Sequence, residues 1–120
     1  MSVAVAVFAG CGALCRYVLD RLVQQRTSGT LPWGTFVVNV SGSLLLGVVV
    51  GVTAHHHFPS DAELVLGVGF AGGYTTLSTW AWESVALAEM GAWGRMALNV
   101  AGSLGLGFAA ASAGLGLALL

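Results

Sequence analysis

The sequence predicts an all-α integral membrane protein, a single domain of residues 1–120 with four membrane-spanning helices. Three observations predict this fold class: hydrophobic residues make up 57% of the chain, charged residues only 8%, and the mean hydropathy is +0.87. A water-soluble domain carries roughly 25% charged residues, so this chain cannot cover a surface in water. One span needs about 20 apolar residues, which leaves room for about four. These properties exclude a soluble enzyme. The chain has no lysine and so no basic patch for nucleic acid.

Charged and proline-containing stretches separate the four predicted helices. The polar residues 24–30, followed by Pro32, predict a first loop, and residues 55–61, which begin with His55 and include a histidine triplet, predict a second. Without nearby carboxylates or cysteines that could complete a metal site, we expect the histidines to be solvated. The predicted helices are about residues 3–22, 33–53, 64–90 and 93–120.

The arginines predict how the chain crosses the cell membrane. Arg21 and Arg26 lie at the first loop and Arg95 beside the third, whereas the second loop and both termini carry no arginine. Cytoplasmic loops are enriched in positive charge, so we expect a multi-pass protein with both termini outside.

Two predicted helices carry polar and small residues in steps of four, which place them on one helix face. The second helix has Thr35, Asn39, Ser43, Gly47 and Gly51, and the fourth has Arg95, Asn99, Ser103, Gly107 and Ala111. The glycines favour close helix packing. Asn39, within an apolar span, needs a polar partner or a water-lined cavity. Donors without fixed charge suit a path for a small anion.

The third predicted helix is unusual because residues 67–80 are rich in glycine and threonine, which are poor helix formers. This composition predicts a helix broken at mid-membrane, which is tolerated only inside protein or against a cavity. Carbonyls freed there could bind a small cation. The alternative is a glycine-rich packing surface. Glu83 follows as a functional candidate, or as a residue at the mouth of the path.

Three motifs together resemble the Fluc (CrcB) family of fluoride channels. Residues 69–80, followed by Glu83, resemble the family's GFxGGxTTFSTF signature. Residues 34–43 resemble its GTxxVNxxGS motif, and residues 12–17 its GAxxRY motif. The resemblance covers all four predicted spans in the right order.

The resemblance implies a passive channel for fluoride efflux, which is not an enzyme and assembles as an antiparallel dimer in the lipid bilayer. It implies a structural sodium ion that is not transported, held by the backbone carbonyls of Gly72 and Thr75. The anion pathway would comprise Thr35, Asn39, Ser43, Leu77, Ser78, Thr79, Trp80, Asn99 and Ser103, with Glu83 at a vestibule.

Three positions depart from the family pattern. Leu77 and Trp80 stand where the signature has phenylalanine, and Asn99 stands where tyrosine is usual. Phenyl rings offer positive edges to an anion, and leucine offers none. Two assemblies therefore stay open: a homodimer, and a pair with a paralogous subunit in which this chain need not conduct. A small multidrug-type, proton-coupled transporter is a further alternative. It needs a carboxylate buried in the first helix, where Asp20 lies only at the end.

Overall fold

Helices account for all the regular structure in the described part of the chain. The computed structural model describes residues 2–27, 31–56 and 59–120. Three helices in this part are long and apolar enough to cross a membrane. They are α1 (Ser2–Arg26), α2 (Trp33–His56) and α6 (Trp93–Ala118).

The region between α2 and α6 consists of shorter helical pieces. Three of them follow one another without interruption: α3 (Ser60–Glu63), a π-helical segment (Leu64–Ala71) and α4 (Gly72–Tyr74). Thr75 and Thr76 are extended, with φ/ψ of −82°/158° and −144°/119°, and α5 (Leu77–Glu89) follows. The Thr76 hydroxyl accepts a hydrogen bond from the Thr79 N–H at 3.2 Å, so Thr76 is the N-cap of α5.

Two helices are longer than the sequence predicts. Residues 24–26, predicted as loop, belong to α1, and His55 and His56 belong to α2. Glutamine and arginine are good helix formers, and the side-chain Oε1 of Gln24 also accepts a hydrogen bond from the Gly34 N–H at 2.8 Å. His56 Nε2 bonds the Ala118 carbonyl at 2.6 Å, while both described histidines are exposed. Ser60 and Asp61, also predicted as loop, belong instead to a short helix that begins at Ser60. The loop predictions at residues 28–30 and at 57 and 58 lie outside the described residues.

Helices α2 and α6 pack through glycines. A Cβ atom at Gly47 would overlap the Ala111 carbonyl, and one at Gly51 would lie 2.6 Å from the Ala118 Cβ. Across the interface, a Cβ at Gly114 would overlap the Leu44 carbonyl. The packing role predicted for Gly47 and Gly51 is confirmed, since only glycine lets these backbones approach so closely.

Helix α1 packs on the π-helical segment and α4 in the same manner. A Cβ at Gly12 would overlap the Phe70 carbonyl, and one at Gly73 would overlap the Ala9 carbonyl. Gly69 and Gly73 of the third predicted helix therefore serve close packing, while the backbone leaves the helical conformation at Thr75 and Thr76. This arrangement places the extended residues beside α2, where the polar stripe begins.

Candidate functional site

A cavity of about 310 Å³ lies beside the two extended residues. Residues from α2, the π-helical segment, α4, α5 and α6 line it, and none of those the structure describes there is charged. Its polar side chains are those of Asn39, Ser43, Thr75, Thr76, Trp80 and Ser103. Five predicted pathway residues, Leu77 among them, and both predicted sodium ligands thus meet at one place.

Asn39 pairs with the backbone of the extended segment. Its Nδ2 donates to the Thr76 carbonyl at 2.9 Å, and its Oδ1 accepts from the Thr76 N–H at 2.8 Å. This pair gives a hydrogen-bond partner to both backbone polar groups of Thr76. Nδ2 carries two hydrogens, so one of them is left to donate into the cavity.

Two serines of the cavity differ in their hydrogen bonding. Ser43 Oγ donates to the Asn39 carbonyl at 2.8 Å and is thereby engaged within α2. Ser103 Oγ is buried and has no hydrogen-bond partner among the residues that the structure describes. A buried polar atom without a partner is costly. Ser103 therefore contributes a hydroxyl at this cavity whose hydrogen the described residues do not use.

Thr35 and Thr79 lie in a neighbouring, charged cavity of about 190 Å³. Arg16, Asp20 and Thr76 also line it, so Thr76 belongs to both cavities. The Thr35 side chain lies near the Glu83 carboxylate, and Glu83 Oε1 is buried without a described partner. Glu83, which we expected at a vestibule, thus lies next to the charged cavity. Thr35 and Asn39 share α2 but line different cavities.

Within this chain, Asn99 and Asn39 line different cavities, and their predicted place on one anion path stays a prediction. Asn99 is buried and lines a separate, largely apolar cavity of about 240 Å³. Its Nδ2 donates to Ser84 Oγ at 2.8 Å. A step of four residues is longer than one 3.6-residue turn, so a stripe of such steps drifts around the helix. Asn99 and Ser103 therefore face different neighbours.

The residues around the start of α5 form an exposed surface. Leu77 lines the 310 Å³ cavity beside the extended residues, yet 74% of the residue's surface is accessible. Gly72, Ser78 and Thr79 are also exposed. Ser78 and Thr79 thus expose polar side chains, and Gly72 exposes its backbone. The described part of the chain does not cover this surface.

The family comparison identifies the chain. Residues 3–115 match the family described as CrcB-like protein, Camphor Resistance (CrcB). The chain belongs to the CrcB family. With its three spanning-length helices, this CrcB chain is an integral membrane protein.

Relatives match over nearly the whole CrcB chain. It is 44% identical over 110 residues to fluoride-specific ion channel FluC 1 of Streptomyces avermitilis, which covers 90% of this chain and 89% of that protein. It is 40% identical over 112 residues to FluC 1 of Leifsonia xyli, covering 93% and 82% respectively. It is 39% identical over 112 residues to FluC 2 of Mycobacterium tuberculosis, covering 93% and 86%.

Sequence analysis missed three polar residues around the site of this CrcB chain. Thr76 lines both cavities, Ser84 bonds Asn99, and Ser41 Oγ is hydrogen-bonded to the Tyr74 hydroxyl at 2.9 Å. Ser84 lies four residues after Trp80, so helical spacing alone could have singled it out. Ser41 and Tyr74 are far apart in sequence, and no local pattern joins them.

Proposed function

We propose that this CrcB chain is a subunit of a fluoride-specific ion channel, through which cytoplasmic fluoride leaves the cell passively. One observation carries the proposal: a cavity without charged lining residues holds hydrogen-bond donors at the extended segment of a CrcB chain. The relatives' names supply the ion. Fluoride efflux would reduce the toxicity of the ion in the cell.

The donor set suits an ion that must enter and leave again. Asn39 retains one amide hydrogen after pairing with Thr76, and the Ser103 hydroxyl is unpaired. Both can replace part of the hydration shell of a small anion. A fixed positive charge in the cavity would bind the anion more strongly and slow its release, since conduction requires weak sites.

We infer that the third helix is broken at mid-membrane and that a second subunit covers it in an antiparallel dimer. The exposed Gly72, Ser78 and Thr79 support this inference, as does the extended backbone of Thr75 and Thr76. Such backbone is not tolerated against lipid and must face protein or a water-filled cavity. A partner chain satisfies this requirement, and its antiparallel arrangement follows the family resemblance.

The carbonyls of Gly72 and Thr75 fit the proposed structural sodium. In a continuous α-helix they would accept from the N–H groups of Thr76 and Thr79. Those two N–H groups instead donate to Asn39 Oδ1 and to the Thr76 hydroxyl. Both carbonyls therefore lose their α-helical partners, and oxygen atoms of this kind are suitable ligands for a hard cation. Bound there, sodium would neutralise the carbonyl dipoles where two copies meet.

A non-conducting partner subunit is the second candidate function, and Leu77 favours it. Leu77 lines the cavity but provides no aromatic edge for an anion. A paralogous subunit could supply the missing phenylalanine. The transporter alternative receives less support, since none of the described residues that line this cavity is acidic.

Fluoride efflux from liposomes tests the proposal. The purified chain is reconstituted alone, and then together with a paralogous subunit from the same cell. We expect passive fluoride efflux in at least one preparation, with chloride efflux near that of empty liposomes. Efflux with the chain alone would support a conducting homodimer, and efflux only with the paralogue would support the paired subunit. No fluoride efflux in either preparation would overturn the proposed function.

A further inference from the structure

A closed ring of hydrogen bonds joins α5 to α6 at the cavity wall. Trp80 Nε1 donates to the main-chain carbonyl of Asn99 at 3.3 Å, and the Asn99 side chain donates through Nδ2 to Ser84 Oγ at 2.8 Å. Ser84 Oγ in turn donates to the Trp80 carbonyl at 2.8 Å. Ser84 and Asn99 are 7% and 4% accessible, so water competes little for these bonds.

The ring uses two of the residues that depart from the family pattern. Nε1 is the only polar atom of the Trp80 side chain, and a phenylalanine at this position could not donate to Asn99. The carboxamide of Asn99 reaches Ser84 from a position where tyrosine is usual. The side-chain bond between Asn99 and Ser84 holds the main chain of α6 against α5, and this keeps the Asn99 main-chain carbonyl within reach of the Trp80 indole.

We propose that Asn99 and Ser84 are positioning residues that hold the Trp80 indole at the cavity wall and keep its N–H from the permeating anion. Trp80 lines the cavity, whereas Asn99 lies outside it. With the N–H bonded to Asn99, Trp80 presents only carbon atoms to the cavity. The tethered indole thereby takes the place of the phenyl ring of the signature. This inference rests on the proposed function.

The Trp80 indole N–H must be kept from the anion because it would otherwise form a strong hydrogen bond to it. Hydrogen bonds to a charged acceptor are roughly twice as strong as neutral ones. The positive edge of an aromatic ring attracts an anion more weakly. A free indole N–H would therefore retain fluoride in the cavity, while conduction requires that the ion leave easily.

The indole N–H signals test the ring without reference to transport. The chain has four tryptophans, and Trp80→Phe assigns the Trp80 signal in an ¹⁵N–¹H spectrum of the detergent-solubilised protein. Ser84→Ala and Asn99→Leu keep the main-chain carbonyl that accepts from the indole but lose the side-chain bond that holds it against α5. We therefore expect both variants to shift this signal and to speed its exchange with solvent. Ser84→Thr retains the hydroxyl and should leave the signal in place. Ser112→Ala, on the exposed face of α6, is the matched control.

Fluoride supplies the second measurement. Added fluoride should shift the Trp80 signal in Ser84→Ala and Asn99→Leu but not in the wild-type chain. Fluoride flux should fall about fivefold in each variant, which corresponds to one hydrogen bond. In a Trp80→Phe background, which has no N–H to release, neither substitution should lower flux further.

Two results would overturn the inference: an unchanged Trp80 signal in folded Ser84→Ala and Asn99→Leu, or flux losses that add to that of Trp80→Phe. If the wild-type chain conducts no fluoride with or without a paralogue, the proposed function fails. The signals without fluoride still decide whether the ring exists.

Discussion

Asn39 joins α2 to the extended backbone at Thr76. Its carboxamide pairs with both polar groups of the Thr76 peptide, 37 positions away in sequence. One amide hydrogen remains for the cavity. The same side chain therefore stabilises the extended conformation and, in the proposed channel, donates to the anion.

Asn39→Asp should abolish fluoride flux. The carboxylate places a negative charge in the anion path and cannot donate to the Thr76 carbonyl, so it also weakens the extended segment. Flux from liposomes measures the effect in protein that elutes at the size of the wild-type assembly. Gln25→Glu makes the same chemical change at an exposed position of α1 and should retain flux. Undiminished flux in assembled Asn39→Asp would contradict the pore assignment.

Ser103→Ala should separate transport from stability. The Ser103 hydroxyl is buried without a described partner, so its removal should leave the melting temperature unchanged or raise it. If the hydroxyl donates to the anion, flux should fall about fivefold. Ser112→Ala on the exposed face of the same helix serves as the control. Equal flux in the two variants would exclude Ser103 from the path.

At the scale of elements, the interface between α2 and α6 depends on backbone contact. A Cβ at Gly114 would overlap the Leu44 carbonyl and would lie 2.7 Å from the Val48 nitrogen, so neither neighbour can yield by a side-chain rotation. Gly114→Ala should destabilise the folded chain by about 1–3 kcal/mol, as overpacking does. Thermal unfolding in detergent measures it.

Gly105→Ala is the matched control for that substitution. Gly105 lies on the same helix, and a Cβ there would meet nothing within 4 Å. Alanine forms helices better than glycine by about 0.5–1 kcal/mol, so this variant should be neutral or slightly more stable. A similar loss of stability in both variants would show that close packing is not the cause.

The extended segment between α4 and α5 predicts a dependence on sodium. If the carbonyls of Gly72 and Thr75 bind sodium between two subunits, its replacement by a large organic cation should weaken the assembly and lower fluoride flux. The measurement compares flux and dimer stability in sodium and in N-methyl-D-glucamine. Flux that persists unchanged after rigorous sodium removal would contradict the proposed site.

At the scale of the whole molecule, three arginines predict a fixed orientation. If the chain spans the membrane four times as the sequence predicts, Arg21, Arg26 and Arg95 fall on one side, and small differences in positive charge set topology. We expect a tag at the C-terminus to be accessible only from outside intact cells. An antiparallel dimer would then require a paralogous chain inserted the other way.

Tag accessibility and fluoride resistance distinguish the two assemblies. An external tag, with fluoride resistance that appears only when the paralogue is co-expressed, would support the paired subunit. An even distribution of the tag between the two sides would reject the fixed orientation and favour the homodimer. Cells that lack their own fluoride channels are the appropriate host.

The sequence by itself determined the membrane class, the approximate spans and the residues that could not be left in lipid. These properties follow from transfer free energies and from helical periodicity, which depend on local composition. Asn39 could be recognised as a polar side chain in need of a partner. The small residues at Gly47 and Gly51 could be recognised as a packing surface.

Only the tertiary structure decided which residues meet. Thr76 as the partner of Asn39, the separation of Asn99 from Ser103, and the bond from Trp80 to Asn99 all join different helices. The end of α1 at Arg26 likewise accompanies a contact between Gln24 and Gly34. Such pairings depend on how far each helix is rotated against its neighbours, and close glycine contacts between backbones set that rotation.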